Sequence, residues 1–158
     1  GGAVRGILPL LLKKNHRKVI VVNRTERNLQ SLSKIFEEEF FEYYTTQDFN
    51  KKFRENNYNK VGSTKFDLII NATSASISND EIEIPKNIFY ECPLVVDLFY
   101  SSKPTAFLNV AVSSGAKKAI DGLGMLVEQA AESFYIWTNL RPKTEEVMDQ
   151  IRNDAGYK

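Results

Sequence analysis

Lys18-Val19-Ile20-Val21-Val22-Asn23-Arg24-Thr25 decides how the rest of this chain is read. Val19 to Val22 are all β-branched, which stiffens χ1 and fits a pleated strand, so Lys18 to Val22 is the strongest strand signal here. Three polar residues follow, and then a helical period whose apolar face is Leu29, Leu32, Ile35, Phe36 and Phe40, with Thr25 placed to cap it. A buried strand that runs through a polar turn into an amphipathic helix is one step of a parallel α/β sheet.

The same alternation extends in both directions. Upstream, Gly1-Gly2-Ala3-Val4-Arg5-Gly6 opens a helix predicted over Gly2 to Lys14, with Pro9 bending it by removing a backbone donor. Downstream, Tyr43 to Thr45 reads as a short strand, and the polar stretch Gln47 to Lys65 as a helix followed by a surface loop. Phe66 to Asn71 and Leu94 to Leu98 are buried strands. Pro104 and Thr105 open a helix that Gly115 stops in a left-handed conformation. Lys118 to Ile120 is a last short strand, Leu123 to Thr138 a long helix and Thr144 to Arg152 an amphipathic one. The expected fold is α/β: a Rossmann-like, doubly wound, mostly parallel sheet with helices on both faces. No repeat, low-complexity segment or internal boundary stands out, so residues 1–158 read as one dinucleotide-binding domain.

In such a fold a glycine pair opening a helix lets a pyrophosphate approach the backbone at the positive end of the helix dipole. About 20 positions later, the residue ending the next strand meets the adenosine ribose, where an Asp or Glu would select a free 2′-hydroxyl. Here the strand ends in Asn23-Arg24-Thr25, with no carboxylate and with a guanidinium suited to a 2′-phosphate. Arg27 adds a second positive charge and Glu26 opposes it mildly. The cofactor expected is therefore NADP. At the end of a later strand, Ile70-Asn71-Ala72-Thr73-Ser74 offers small polar residues against which a nicotinamide or ribose could pack. By itself that segment reads as an Asx or Ser/Thr turn.

Composition removes other classes. The 158 residues carry 21 Lys and Arg against 20 Asp and Glu, a net charge of +1, too balanced for a nucleic-acid partner. The longest apolar run, Ile7 to Leu12, is broken by Pro9 and falls far short of the roughly 20 residues that cross a membrane. The single cysteine, Cys92, cannot close an internal disulfide, which fits a reducing cytoplasm, and reads as a small half-buried thiol. His16 sits in the basic turn Lys13 to Lys18, no cluster has metal-ligand spacing, and no metal is expected. The chain begins at Gly1 without Met and without a strand before the glycines. It is read as a fragment whose missing strand would lie between those ending at Asn23 and Asn71.

Taken together, the glycine turn, Asn23-Arg24-Thr25, Ile70 to Ser74, Asp97 with Tyr100 and Thr105, and Asp121-Gly122-Leu123-Gly124-Met125-Leu126-Val127-Glu128-Gln129-Ala130 carry a resemblance. The chain resembles the C-terminal, NADP-binding domain of shikimate dehydrogenases, and the last of these motifs is the most restricted to that family. The resemblance implies reversible reduction of 3-dehydroshikimate to shikimate with NADPH, in aromatic amino acid biosynthesis. It implies that Gly1, Gly2 and Ala3 hold the pyrophosphate and that Asn23, Arg24 and Thr25 hold the 2′-phosphate. Ala72, Thr73 and Ser74 flank the cofactor, Leu98 and the Gly122 backbone lie against the nicotinamide, and Tyr100 and Gln129 reach the substrate. A neutral amide at Gln129 suits a polyol, since it both donates and accepts.

The family's catalytic lysine and aspartate belong to a separate N-terminal substrate-binding domain, and no residue here matches either, so this chain alone is expected to be inactive. Three departures stand out: the Gly-Ala that usually precedes the glycine pair is absent, Asn28 stands where the family tends to carry Lys or Arg, and Ser76 where glycine is common. Other readings are a quinate/shikimate-type dehydrogenase, a non-catalytic NADP-binding regulatory module, and a ligand-free α/β interaction domain. The oligomeric state, a homodimer among the choices, is not set by the sequence.

Overall fold

The structure is a computed structural model that describes residues 2–12, 18–36, 41–54, 65–78 and 82–154. Gly1, Lys14, His16, Phe40 and most of the expected surface loop after residue 54 lie outside the described residues. Every strand pairing is parallel, in a two-stranded sheet and a three-stranded sheet. The chain divides into two compact units, Gly1–Thr64 with Glu83–Ile88, and Lys65–Ile82 with Phe89–Lys158.

In the first unit, helix α1 (Gly2–Leu12) precedes strand β1 (Val19–Asn23), helix α2 (Glu26–Ser33), strand β2 (Phe41–Thr45) and helix α3 (Thr46–Arg54). β1 and β2 pair in register from Val19↔Phe41 to Asn23↔Thr45. Alternation along β2 sends side chains to opposite faces. Phe41 and Tyr43 join Leu8 of α1, Leu32 of α2 and Val19 and Val21 of β1 in one core. Tyr44 points the other way, its ring 6.3 Å from those of both Phe49 and Phe53 on α3. Helices thus cover both faces of this pair, as the sequence predicts. Burying Leu8, Leu32 or Phe41 contributes about 1.5–3 kcal/mol each before chain entropy is counted. α1 runs through Pro9 to Leu12.

Two local expectations change. Thr25 occupies the N-cap of α2 with extended backbone, but its side chain makes no capping bond. Asn23 does that local work instead: its Oδ1 accepts from the Thr25 N–H at 2.9 Å and from Asn28 Nδ2 at 3.3 Å. The Asn28 N–H, a donor that a Thr25 cap would use, goes to the Thr25 carbonyl at 3.0 Å. Ile35, expected on the buried face, is 54% exposed because α2 ends at Ser33.

The second unit holds β3 (Leu68–Asn71), a short α4 (Ala75–Ser78), β4 (Leu94–Asp97), α5 (Ala106–Ser113), β5 (Ala119–Ile120), α6 (Leu123–Thr138) and α7 (Thr144–Asp154). The sheet order is β3-β4-β5, with Asn71 opposite Asp97 at the carboxyl ends. Phe89, Val95, Ala111 and Leu123 are fully buried, and the Phe89 and Phe107 rings meet edge to face at 5.6 Å. α5 starts where the sequence places it, with Thr105 Oγ1 accepting from the Leu108 N–H at 3.2 Å. It stops at Gly115, whose φ of +94° a side chain would strain. Asn139, left-handed at φ 58°, closes α6, and Arg141 pairs with Glu132 at 3.0 Å beside the turn into α7. No helix among the described residues is long and apolar enough to cross a membrane.

Candidate functional site: the strand ends of a dinucleotide fold

At the carboxyl end of β1 the Asn23 turn presents Arg24, Thr25, Arg27 and Asn28 as exposed residues. Neither Arg24 nor Arg27 has an ion-pair partner among the described residues, so two guanidiniums stand unneutralised on one turn. Asn28, where the resemblance leads one to expect a cation, braces the turn through Asn23. At the start of α1, Gly2 and Ala3 are exposed and the first turn carries no acidic residue. A Cβ built on Gly2 would meet nothing within 4 Å, so protein packing is not what excludes a side chain there. The exposed N–H groups of such a first turn suit an anion. Arg5 turns toward α2 instead, its Nη2 3.2 Å from Ser31 Oγ.

The second unit brings together the ends of β3 and β4. Asn71 Oδ1 accepts from the Thr73 N–H at 3.1 Å and from Thr73 Oγ1 at 2.8 Å, and Thr73 Oγ1 accepts in turn from the Ala75 N–H at 3.3 Å. The turn reading of this segment is therefore realised, with Thr73 and Ser74 left exposed at its surface. Asp97 is 0% exposed and takes four hydrogen bonds. Asn71 Nδ2 (3.1 Å) and the Phe99 N–H (3.2 Å) donate to Oδ1, while Ser76 Oγ (2.6 Å) and Thr105 Oγ1 (2.7 Å) donate to Oδ2. Ser76 also accepts from Asn71 Nδ2 at 3.0 Å. Residue by residue, the sequence treats Ser76 as a small departure and assigns Asp97 no role. What it holds as a signal is an acid ending one strand and an amide ending another, visible only once β3 and β4 are known to be neighbours.

Leu98 and Gly122 meet directly. The Leu98 N–H donates to Asn71 O at 2.9 Å, and the Gly122 N–H to Phe99 O at 3.1 Å. A Cβ on Gly122 would lie 2.1 Å from the Leu98 carbonyl oxygen, so glycine is obligatory for the close approach of two backbones. Tyr100 is 41% exposed, its ring 6.3 Å from that of Phe99. Gln129 sits on α6, exposed, and its amide makes no hydrogen bond among the described residues. Cys92, in contrast, is fully buried rather than half-buried; desolvation pushes its thiol up, and Sγ donates to Leu94 O at 3.4 Å. Among the described residues no group of three His, Cys, Asp or Glu could hold a metal ion. A depression of about 410 Å³ along α3, lined by Gln47, Asn50, Lys51, Arg54 and Glu83, contains none of the expected site residues.

Comparison with known proteins points the same way for the whole chain. The family model for the shikimate 5′-dehydrogenase C-terminal domain matches residues 122–152, the segment from Gly122 through α6 and most of α7. Over 156 residues, 99% of this chain, the sequence is 37% identical to a shikimate dehydrogenase (NADP(+)) of Nitrosospira multiformis. This chain is similar to shikimate dehydrogenases over nearly its whole length. A second shikimate dehydrogenase (NADP(+)), from Legionella pneumophila, is 40% identical over 97% of this chain. The crystal structure of an Ael1 enzyme from Pseudomonas putida, 32% identical, superposes with a TM-score of 0.81 over 95% of this chain and 51% of that one. The fold is thus Rossmann-like α/β. The chain spans about half the length of the curated relatives it matches, 53% and 52% for these two shikimate dehydrogenases.

Proposed function

We propose that this chain is the NADP-binding part of an oxidoreductase that interconverts 3-dehydroshikimate and shikimate. The observation that carries the reading is the Asn23 turn: two exposed guanidiniums with no ion-pair partner among the described residues, and no carboxylate ending the strand where a dinucleotide fold meets the adenosine ribose. Arg24 and Arg27 hold the 2′-phosphate, with Asn23, Thr25 and Asn28 shaping the turn. Gly1, Gly2 and Ala3 face the pyrophosphate, which the open space at Gly2 fits. Ala72, Thr73 and Ser74 flank the cofactor, Leu98 and Gly122 form the surface for the nicotinamide, and the exposed Tyr100 and Gln129 bond the substrate hydroxyls. NADPH supplies the hydride; this chain's residues bind and orient. The proton and the catalytic lysine and aspartate come from an N-terminal substrate-binding domain of the same protein, working in the cytoplasm, where a buried, unpaired Cys92 needs no partner.

The test is an assay of the intact protein, including any residues that precede Gly1, for shikimate oxidation with NADP+ and with NAD+. Turnover with a marked NADP+ preference is expected. Arg24→Asp should weaken NADP+ by more than about tenfold and leave NAD+ far less affected, since a carboxylate repels a 2′-phosphate and accepts from a 2′-hydroxyl. Equal losses for both cofactors, or none, would remove the turn from the site.

A further inference from the structure

Asp97 is fully buried and accepts four hydrogen bonds, and nothing in the proposed chemistry uses it. A carboxylate offers about four lone-pair positions and no donor. Here four donors fill them, and they come from four places: Asn71 at the end of β3, Ser76 in α4, Phe99 just beyond β4 and Thr105 at the cap of α5. Three of those places bound segments assigned above to the cofactor. Asn71 and Ser76 frame the turn carrying Ala72, Thr73 and Ser74, and the Phe99 N–H follows Leu98. A buried carboxylate that only stabilised the core could be met by donors from any element. These converge on the strand ends, and Ser76 closes a second link by accepting from Asn71 Nδ2 at 3.0 Å.

We infer that Asp97 is a positioning residue, which through Ser76 and Asn71 fixes the Ala72–Ser74 turn against Leu98 and so sets the affinity for the nicotinamide half of the cofactor. This rests on the NADP reading given above. Ser76 is the handle on it. Removing its hydroxyl takes one donor from Asp97 and one acceptor from Asn71, without adding bulk or charge. The turn then keeps its Asx bonds to Thr73 and the Asn71–Asp97 bond at its start but loses the tie to Asp97 at its far end, so the penalty falls on the ligand that needs the turn in place. A ligand that ends at the adenosine side does not feel it.

The experiment uses the intact protein and two probes, NADP+ and 2′,5′-ADP, with binding measured by calorimetry and stability by thermal unfolding. Ser76→Ala should weaken NADP+ about fivefold, the equivalent of about 1 kcal/mol for one hydrogen bond, and leave 2′,5′-ADP within about twofold. Ser76→Thr, which keeps the hydroxyl, should bind both probes as the parent does. Phe107→Leu, which loosens the ring contact with Phe89 and removes none of the four donors to Asp97, serves as a stability control and should lower Tm without the selective loss. Asp97→Asn should give the same selective loss, because its single amide oxygen can serve only one of the two donor pairs and the charge that strengthens all four bonds is gone. Equal weakening of both probes by Ser76→Ala, no weakening at all, or the same selective loss in Phe107→Leu would overturn the inference. A parent protein that binds neither probe would defeat the NADP reading itself, an outcome no variant can imitate.

Discussion

At the scale of single residues, Gly122 is the position least free to change. Its own backbone is ordinary, φ −80°, so the requirement comes from space and not from conformation. An added Cβ would sit 2.1 Å from the Leu98 oxygen and 2.6 Å from its carbonyl carbon, backbone atoms that cannot swing aside. Gly122→Ala should therefore force β4 and the start of α6 apart and lower stability by about 2–4 kcal/mol, within the range of overpacked or strained core sites. Urea unfolding followed by circular dichroism measures it, and a loss below about 0.5 kcal/mol would mean the two backbones are not in contact. Thr105 makes a second case. Its hydroxyl both caps α5 and donates to Asp97, so Thr105→Ala should cost more than the typical cap loss of about 1 kcal/mol, while Thr105→Ser should recover most of it. Equal stability in the alanine and parent proteins would show both bonds to be dispensable.

Among elements, the pair β1–β2 with α3 carries a charge cluster whose pH response can be given a sign. Glu42 on β2 pairs with Lys18 just before β1, accepts from Tyr44 at 2.7 Å, and lies 3.4 Å from Lys52 on α3, which itself bonds the Tyr44 hydroxyl. The Lys18 ammonium first of all, with Tyr44 and Lys52 adding to it and burial opposing, holds the Glu42 carboxyl down to about 2 from the usual 4.5. A folded value below the unfolded one means that this contribution is complete above pH 4.5. It is lost as pH falls toward 2. Because Lys18 and Lys52 are about half exposed, water and salt screen the cluster, and about 1 kcal/mol is the expected scale. Glu42→Gln should be less stable than the parent by that amount at pH 7 and approach it near pH 2. A gap that stays constant over this range would contradict the ion-pair account.

The elements also separate what the sequence could tell from what it could not. The β-branched run of β1, the Thr105 cap and the Gly115 stop are local facts of sterics and hydrogen bonding, and each falls within a residue or two of its expected place. The Arg24 turn was legible for the same reason: spacing along one strand sets it. Thr25 misled because the Asn28 N–H its hydroxyl would cap is taken by the Thr25 carbonyl instead. Asp97 could not be read out, since its partners lie up to 26 residues away and meet only through the β3–β4 register. The same holds for Gly122, whose need for glycine comes from Leu98, on the strand beside β5.

For the whole molecule, the proposed labour is divided between anion recognition and the nicotinamide surface, and none of the residues given a role above is proposed as the acid for the alkoxide. Asp97 has all its lone pairs occupied, the Cys92 thiol is buried and pushed up, and the role proposed for Tyr100 and Gln129 is to bond hydroxyls. Hydride transfer to a carbonyl needs that proton in the transition state, and a positioned acid contributes about 10²–10⁴-fold. The chain of 158 residues tested alone should therefore bind NADP+ yet turn over shikimate at no measurable rate, while the intact protein does both. Stopped assays of NADPH formation, run beside calorimetry on the same two samples, separate binding from chemistry. Shikimate-dependent NADPH formation by the 158-residue chain would place an acid within it and end the proposed division of labour. Binding without turnover in the chain, joined to turnover in the intact protein, locates the proton donor in the part of the enzyme this chain does not contain.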